Sequence, residues 1–389
     1  MADVVQRLRG ILKNIAKEQN YENDEVEIKP VDSGGANYTS QLFAVTLTSP
    51  GKPTLKLFAK VAMIGEKIRS MSSTPMFEIE TIFYTKILSK YRELEKQHSI
   101  PEAERLTFAK YYGGTTEYMK EVLVLEELTY QGYKPFDRLK CFDWEYASEC
   151  VAMLARLHAL SVAYEKDDPD DYAKIVEILR FDFPVEVMKD FLSKCIGTAV
   201  KATEEKYKER VEKFLLGHLQ DRKFMKYYKP ERAVLLHHGD FRPSNILQKT
   251  DENGKLKLVL VDHQLVQRGN PVPDLIFFLI SGSDEQFRTK HLHQYFDHYY
   301  EVFRKALERF GIDADEVYRK EHYDEDVKEL LPFGLTVGAF TLPIITVDPS
   351  KAAKPEDGID MESLDMEVSE LFPIRFNGLV RDYVRMGIL

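Results

Sequence analysis

The chain has 389 residues, too many for one simple core, so two lobes or domains are expected. Hydrophobic residues make up 44% and charged residues 30%, the balance of a globular protein with a sizeable buried interior. A formal net charge of −10 argues against a general nucleic-acid binder, which would carry a basic surface to displace counterions; a local basic pocket for a nucleotide stays open.

In chain order, Val4, Val5, Leu8, Ile11, Leu12 and Ile15 recur at helical spacing and predict an opening helix. The interleaved Arg7, Arg9, Lys13 and Lys17 raise a mitochondrial presequence, but Asp3, Glu18 and the lack of serine favour a helix capping the first lobe. Strands follow at Glu25 to Val31, Gln41 to Thr48 and Leu55 to Met63, the last two joined by the turn Ser49-Pro50-Gly51-Lys52-Pro53. Phe77 to Tyr91 reads as a helix, with Phe77, Ile79, Ile82, Phe83, Ile87 and Leu88 on its apolar side. A short apolar run, Val122 to Leu125, precedes Glu126-Glu127-Leu128 and a flexible Gln131-Gly132. Trp144 to Tyr164 and Val185 to Tyr228 are helical in pattern. Strands first and helices after them predict an α+β chain of two lobes: residues 1–125, a hinge at 126–133, and residues 134–389. The uncharged stretch Leu330 to Val347 has the length of a membrane span. Pro332, Gly334, Gly338 and Pro343, without basic anchors, make it a buried helix and turn instead, so no span is expected. Cys141, Cys150 and Cys195 form no disulfide framework and match no zinc spacing; they read as thiols of a reducing, cytoplasmic setting.

The strongest chemical signal is His238-Gly239-Asp240-Phe241-Arg242-Pro243-Ser244-Asn245. A strand, a turn at Asp251 to Gly254, a second strand Leu256 to Val261 and then Asp262 follow it. A hairpin brings the loop before its first strand beside the residue after its second, so Asp240, Asn245 and Asp262 should converge. Two carboxylates and a carboxamide suit Mg²⁺, and one carboxylate can instead take the proton of an attacking hydroxyl. An Asp beside Gly is ordinarily a turn residue and a lone Asn a cap; it is their order with the hairpin that points to chemistry. Upstream, Ser33, Gly34, Gly35, Asn37 and Ser40 lie in a glycine loop whose amides could approach phosphate, although Gly-Gly between strands is elsewhere just a turn. Lys60 sits in the apolar strand Leu57 to Ala62, where a cation needs a partner unless it faces solvent from an edge; Glu80 on the next helix is that partner.

Glycine loop, strand lysine, helix glutamate, H-x-D-x-x-x-x-N and hairpin aspartate stand in the order of the protein-kinase-like superfamily. The chain resembles its small-molecule branch, the aminoglycoside and choline phosphotransferases, and within it the ecdysteroid-kinase-like family. The resemblance is carried by Gly34 to Ser40, Phe77-x-x-Glu80-x-x-Phe83-Tyr84, Leu123 to Leu128, Leu154 to Ala159, His238 to Asn245, and Val261-Asp262-His263-Gln264 with Asp274-Leu275. It implies a two-lobed protein-kinase-like fold that uses ATP and Mg²⁺, with Asp240 as catalytic base and Asn245 and Asp262 as metal ligands. It further implies that Lys60 and Glu80 position the ATP phosphates under the loop from Ser33 to Ser40, and that backbone near Glu126, Glu127 and Leu128 holds the adenine. His238 would brace the catalytic loop, and Asp274 would tie that loop to the following helix. Arg242 stands where the family commonly has Trp, and reads as a surface cation rather than a phosphate contact. His263 stands where Phe is usual.

Only 11 residues separate Asp262 from Asp274, which leaves no room for the activation segment of a protein kinase. Gly239, not Arg, precedes Asp240. The implied acceptor is therefore a small molecule: a hydroxyl of an ecdysteroid or other lipophilic alcohol, with choline-type or aminoglycoside-type acceptors and a catalytically silent ligand carrier as alternatives. No nucleic acid and no protein partner is expected. The helical stretch between His158 and His238 either walls the acceptor pocket or is scaffold, and Leu330 to Val347, with Phe333 and Phe340, reads as core rather than pocket lining.

Overall fold

In the computed structural model, which describes residues 2–21, 25–32, 40–63, 74–179, 185–220, 225–228, 232, 235–348 and 368–389, the opening periodicity forms helix α1 (Ala2–Glu18). Its apolar stripe buries Val4, Leu8, Leu12 and Ile15 against one face of a sheet, each worth ~1.5–3 kcal/mol gross. The sheet comprises β1 (Glu25–Val31), β2 (Ser40–Thr48), β3 (Leu55–Ala62), β4 (Tyr111–Thr115) and β5 (Val122–Glu126), antiparallel throughout in the order β1-β2-β3-β5-β4. β5 lies inside the sheet, which is why its sequence is a continuous apolar run: Val122 and Val124 face α1, while Leu123 and Leu125 enter the main core on the other side. The same alternation in β3 sends Leu57, Ala59 and Val61 toward α1 and Lys60 to the opposite face.

The expected helix Phe77 to Tyr91 is longer and is not uniform. α2 (Met76–Ile82) passes through a π-turn, Phe83–Ile87, into α3 (Leu88–Gln97). The Thr81 and Thr85 hydroxyls donate at 2.7 Å to the carbonyls of Phe77 and Thr81, four residues back, competing with the ladder where it widens.

β6 (Lys134–Pro135) leads into the helical part. Next come α4 (Trp144–Asp167), capped by Asp143 at the Tyr146 amide, α5 (Pro169–Ile178), α6 (Val185–Ala202), α7 (Lys208–Gln220) and α8 (Met225–Tyr228). β7 (Leu235–His237), the hairpin β8 (Ile246–Thr250) and β9 (Leu256–Leu260), and β10 (Gln267–Gly269) come next; β6 pairs with β8 and β10 with β7. The chain closes with α9 (Val272–Gly282), α10 (Glu285–Arg309), α11 (Ala314–Val317), α12 (Lys320–Leu330), α13 (Phe333–Ile345) and α14 (Leu371–Arg385). The architecture is α+β, a small β-rich lobe followed by a larger helical one.

α4 and α10 form the long central pair, and α9 is buried almost along its whole length. α13, the uncharged segment, packs on α9, α6 and α14 and is core, with Phe333, Leu335, Ala339 and Leu342 buried. A side chain at Gly338 would meet the end of Leu379 on α14, which would have to shift to admit it. Among the described residues no single helix is long and apolar enough to cross a membrane; α12 and α13 would pass only as a pair bent by 57°. α6 and α7 bury Leu192, Ile196, Val211 and Leu215 against this bundle, so that part of the helical stretch serves as scaffold. Cys150 and Cys195 are buried free thiols and Cys141 is partly buried.

Candidate active site

Lys60, placed on the inner face of β3 by strand parity, has its side chain only 12% exposed. Its Nζ donates to Glu80 Oε1 and Oε2 at 2.9 and 3.0 Å and to Asp262 Oδ1 at 2.6 Å. β3 is an interior strand, so the solvent-facing alternative for this lysine is excluded. Burial favours the neutral amine, but the charges of Asp262 and Glu80 outweigh it and raise the lysine's pKa. One ammonium thus serves two carboxylates. Burial pushes Asp262 up, yet Lys60 and Arg242 bring it below the ordinary carboxylate value. Glu80, only 2% exposed, stays raised by burial because Lys60 offsets only part of that cost and Asp262 adds repulsion.

The hairpin delivers the other residues. Ile246 pairs with Leu260, and the Val261 amide donates to the Asn245 carbonyl at 3.0 Å, closing the ladder one residue before Asp262. Asp262 then turns the chain with φ of 70°, a left-handed conformation that Asp tolerates better than most side chains. Asn245 Nδ2 donates to the Asp240 carbonyl at 3.0 Å and to Asp240 Oδ2 at 2.8 Å. Lys60, Glu80 and Asp262 thus form one bonded set and Asp240 and Asn245 another, brought side by side by the Val261–Asn245 backbone bond and close enough for the Asp262 charge to act on Asp240.

Arg242 is not a surface cation. Its side chain is 13% exposed and its Nε lies 3.2 Å from each carboxylate oxygen of Asp240. Extended backbone at Arg242, just before the short helical turn Pro243–Asn245, points the guanidinium back at the loop's own aspartate. Burial pushes Asp240 up to about 6, with Arg242 pulling it down and the charge of Asp262 pushing it up again.

Asp274, at the start of α9, fastens the loop from behind. It accepts from the His238 amide at 2.7 Å and the Gly239 amide at 2.9 Å, and lies 3.3 Å from His158 Nε2 and His237 Nδ1. Despite burial, these histidines hold it well below the usual carboxylate range. His158 and His237 were missed in the sequence; the available signal was a histidine on the otherwise apolar face of α4, which demands a buried partner. His238 is buried, its pKa lowered by burial, and its Nδ1 accepts from the Asp240 amide at 3.3 Å. Gly239 adopts φ of 81°, and a side chain there would strike the Leu265 carbonyl. His263 stacks on Phe83 with ring centroids 3.6 Å apart and donates from Nε2 to the Leu260 carbonyl at 3.2 Å. Burial keeps it neutral, so a flat uncharged ring occupies the place where Phe is usual.

Ser40 opens β2, buried opposite Ala62, while Ser33, Gly34, Gly35 and Asn37 lie outside the described residues. The Glu126 amide donates to the Lys110 carbonyl, and its carboxylate accepts from Gln131 Nε2 at 2.6 Å. The Glu127 amide donates to the Lys56 carbonyl at 3.2 Å, and its carboxylate accepts from the Thr129 amide at 3.1 Å. The Leu128 amide donates to none of the described residues.

Among the described residues no three His, Cys, Asp or Glu side chains make a metal cage. Asn245 and Asp262 are a different kind of donor set. With Asn245 Nδ2 committed to Asp240 and Asp262 Oδ1 to Lys60, Asn245 Oδ1 and Asp262 Oδ2 accept from no described residue. Two such oxygens fit Mg²⁺, which draws the rest of its shell from phosphate and water.

Solved structures to which the chain is similar include an ethanolamine kinase of Plasmodium vivax, at 10% identity and a TM-score of 0.48, covering 94% of this chain and 83% of that one. Another is an aminoglycoside phosphotransferase of Streptomyces rimosus in complex with ADP and streptomycin, at 12% identity and a TM-score of 0.32, covering 79% of this chain and 92% of that one. No curated protein sequence matches the chain. The ecdysteroid kinase-like family model matches residues 34–312. That span holds Lys60, Glu80, Asp240, Asn245 and Asp262, and the chain belongs to the ecdysteroid kinase-like family.

Proposed function

We propose that the protein is an ATP-dependent phosphotransferase that moves the γ-phosphate of ATP to a hydroxyl of a lipophilic alcohol such as an ecdysteroid. The observation that carries this reading is a charged Lys60 bonded to Asp262, with a partly buried Asp240 at about 6 beside them, close enough to sense the Asp262 charge. In this reading Asp240 accepts the hydroxyl proton while the acceptor oxygen bonds to phosphorus; the bond from phosphorus to the bridging oxygen of ADP breaks, and ADP leaves. Lys60, held by Glu80, orients the α- and β-phosphates, and Ser40 closes the glycine loop above them. The Leu128 amide, which meets no acceptor among the described residues, and the carbonyls of Glu126 and Glu127, whose amides are already bonded, are offered to the adenine. Mg²⁺, when bound, supplies charge neutralisation across the phosphates; Asn245 and Asp262 would hold it. Residues 1–125 then serve as the nucleotide lobe, 126–133 as hinge and 134–389 as the catalytic and acceptor lobe. Three free thiols fit a cytoplasmic setting.

The test is incubation of the purified chain with Mg-ATP and a panel of ecdysteroids, sterols, small alcohols and amino alcohols, read by the mass gain of one phosphoryl group. Phosphorylation of a steroid hydroxyl that vanishes in Asp240→Asn supports the proposal. Phosphorylation of amino alcohols alone would replace the acceptor class. No product with any acceptor, alongside a thermal shift with Mg-ATP, would make the protein a silent nucleotide binder.

A further inference from the structure

Beyond the far end of the helix that carries Glu80, the segment 98–106 leans on α4 and the last turns of α10 and encloses a cavity of about 480 Å³. This is within the size range of small-molecule sites, about 300–1,000 Å³. Leu106, Leu160, Val302 and Phe310 give it an apolar floor, and none of the residues that line it belongs to the active-site cluster. Its rim carries three cations and three carboxylates, but the carboxylates are engaged. Glu95 pairs with Arg92 at 2.7 Å, Glu104 holds Arg309 through bonds of 2.7 and 3.1 Å, and Glu308 pairs with Arg304. Among the described residues Lys305 reaches only Glu301, 4.0 Å away on its own helix. Arg156, half-buried on α4, pairs with no carboxylate among the described residues.

We propose that this cavity binds a small amphipathic anion: a carboxylate on an apolar body. The carboxylate meets the planar fork of Arg156, with Lys305 adding charge, and the body lies on Phe310, Leu160 and Leu106. A guanidinium fork matches a carboxylate in two parallel hydrogen bonds, and a partly desolvated one without a counter-charge gains most from such a partner. The occupant touches the segment 98–106 on one side and α4 and α10 on the other, beside the Arg309–Glu104 bridge that already joins them.

Isothermal titration of the full chain with octanoate, using octylamine and octanol as equal-length controls, tests this directly and needs no catalytic activity. Octanoate is expected to bind one-to-one and saturably, and octylamine not at all. Arg156→Gln is expected to weaken octanoate at least tenfold, about 1.4 kcal/mol, and Ala306→Trp, which fills the cavity, to abolish binding. Both variants should melt at the wild-type midpoint without octanoate; if Arg156→Gln does not, Lys305→Gln carries the same test with a smaller loss. Equal affinity in wild type and Arg156→Gln, octylamine binding as tightly as octanoate, or no saturable heat by about 10 mM octanoate would overturn the proposal, since weaker binding lies outside the range of specific sites.

Discussion

Replacing Lys60 by Met keeps the volume of the side chain and removes the ammonium that joins the buried Glu80 to the partly buried Asp262, a change whose cost follows from the geometry. Glu80 is 2% exposed and loses both of its bonds to Lys60; Asp262 is 20% exposed and keeps the field of Arg242, so most of the penalty falls on Glu80. Breaking a buried ion pair from one side costs about 3–5 kcal/mol. The penalty depends on pH because Glu80 can escape it by taking a proton. With Lys60 gone, its folded pKa, already raised by burial, climbs further above the unfolded value of about 4.3, so the folded state holds a proton that the unfolded chain releases. Stability of the variant therefore falls as pH rises through that window, whereas in the wild type the raised lysine keeps the cluster intact at neutral pH. The expected loss is about 1–2 kcal/mol at pH 5.5 and about 3–5 kcal/mol at pH 8. Urea unfolding followed by far-UV circular dichroism at the two pH values measures it. Equal losses at both pH values, or a larger loss in acid, would refute the reasoning.

Asp240→Asn should lower kcat by about 10²–10⁴-fold while the protein melts normally, measured by phosphoryl transfer to whichever acceptor the panel identifies. With Asp240 as base at about 6, kcat/KM should fall as pH drops below that value. Arg242→Leu deletes a charged hydrogen bond worth about 1.5–3 kcal/mol, so the acid limb of that profile should move to higher pH by about 1–2 units. A limb that stays put or moves toward acid sinks the assignment. Gly239→Ala forces a left-handed alanine into the Leu265 carbonyl; beyond about 1–2 kcal/mol of backbone strain it should lower Tm and kcat but spare nucleotide affinity. Asp274→Ala strands the His238 and Gly239 amides, at about 1–3 kcal/mol each, so urea unfolding at pH 7 should show a loss of at least about 2 kcal/mol. Because the folded pKa of Asp274 is depressed, its contribution is complete above the unfolded value of about 3.9, and the gap between wild type and variant should narrow as pH falls below it.

What could be read without coordinates was whatever a local rule encodes. Turn chemistry between Ile246 and Leu260 was enough to bring Asp240, Asn245 and Asp262 together, and the cost of an unpaired cation in an apolar strand was enough to pair Lys60 with Glu80. The misread residue was Arg242, because nothing in a sequence says which way a loop side chain points. Extended backbone at that one position reverses it onto Asp240. The links from Asp274 to His158 and His237 span 116 and 37 residues and depend on where α4 and β7 lie against the start of α9, which periodicity does not specify. The π-turn was hidden for a similar reason: Thr81 and Thr85 hint at a disturbed ladder, but the apolar spacing of Phe83 and Ile87 suits an ordinary helix almost as well.

That π-turn has an outcome for control. It presents Phe83 flat against His263, the residue that follows Asp262, so the helix bearing Glu80 and the segment bearing Asp262 are riveted ring to ring. In enzymes that switch by swinging such a helix, the lysine's carboxylate partner is withdrawn until a signal arrives. Here withdrawal would first have to unstack two buried rings, so the packing opposes such a swing and holds Glu80 beside Lys60.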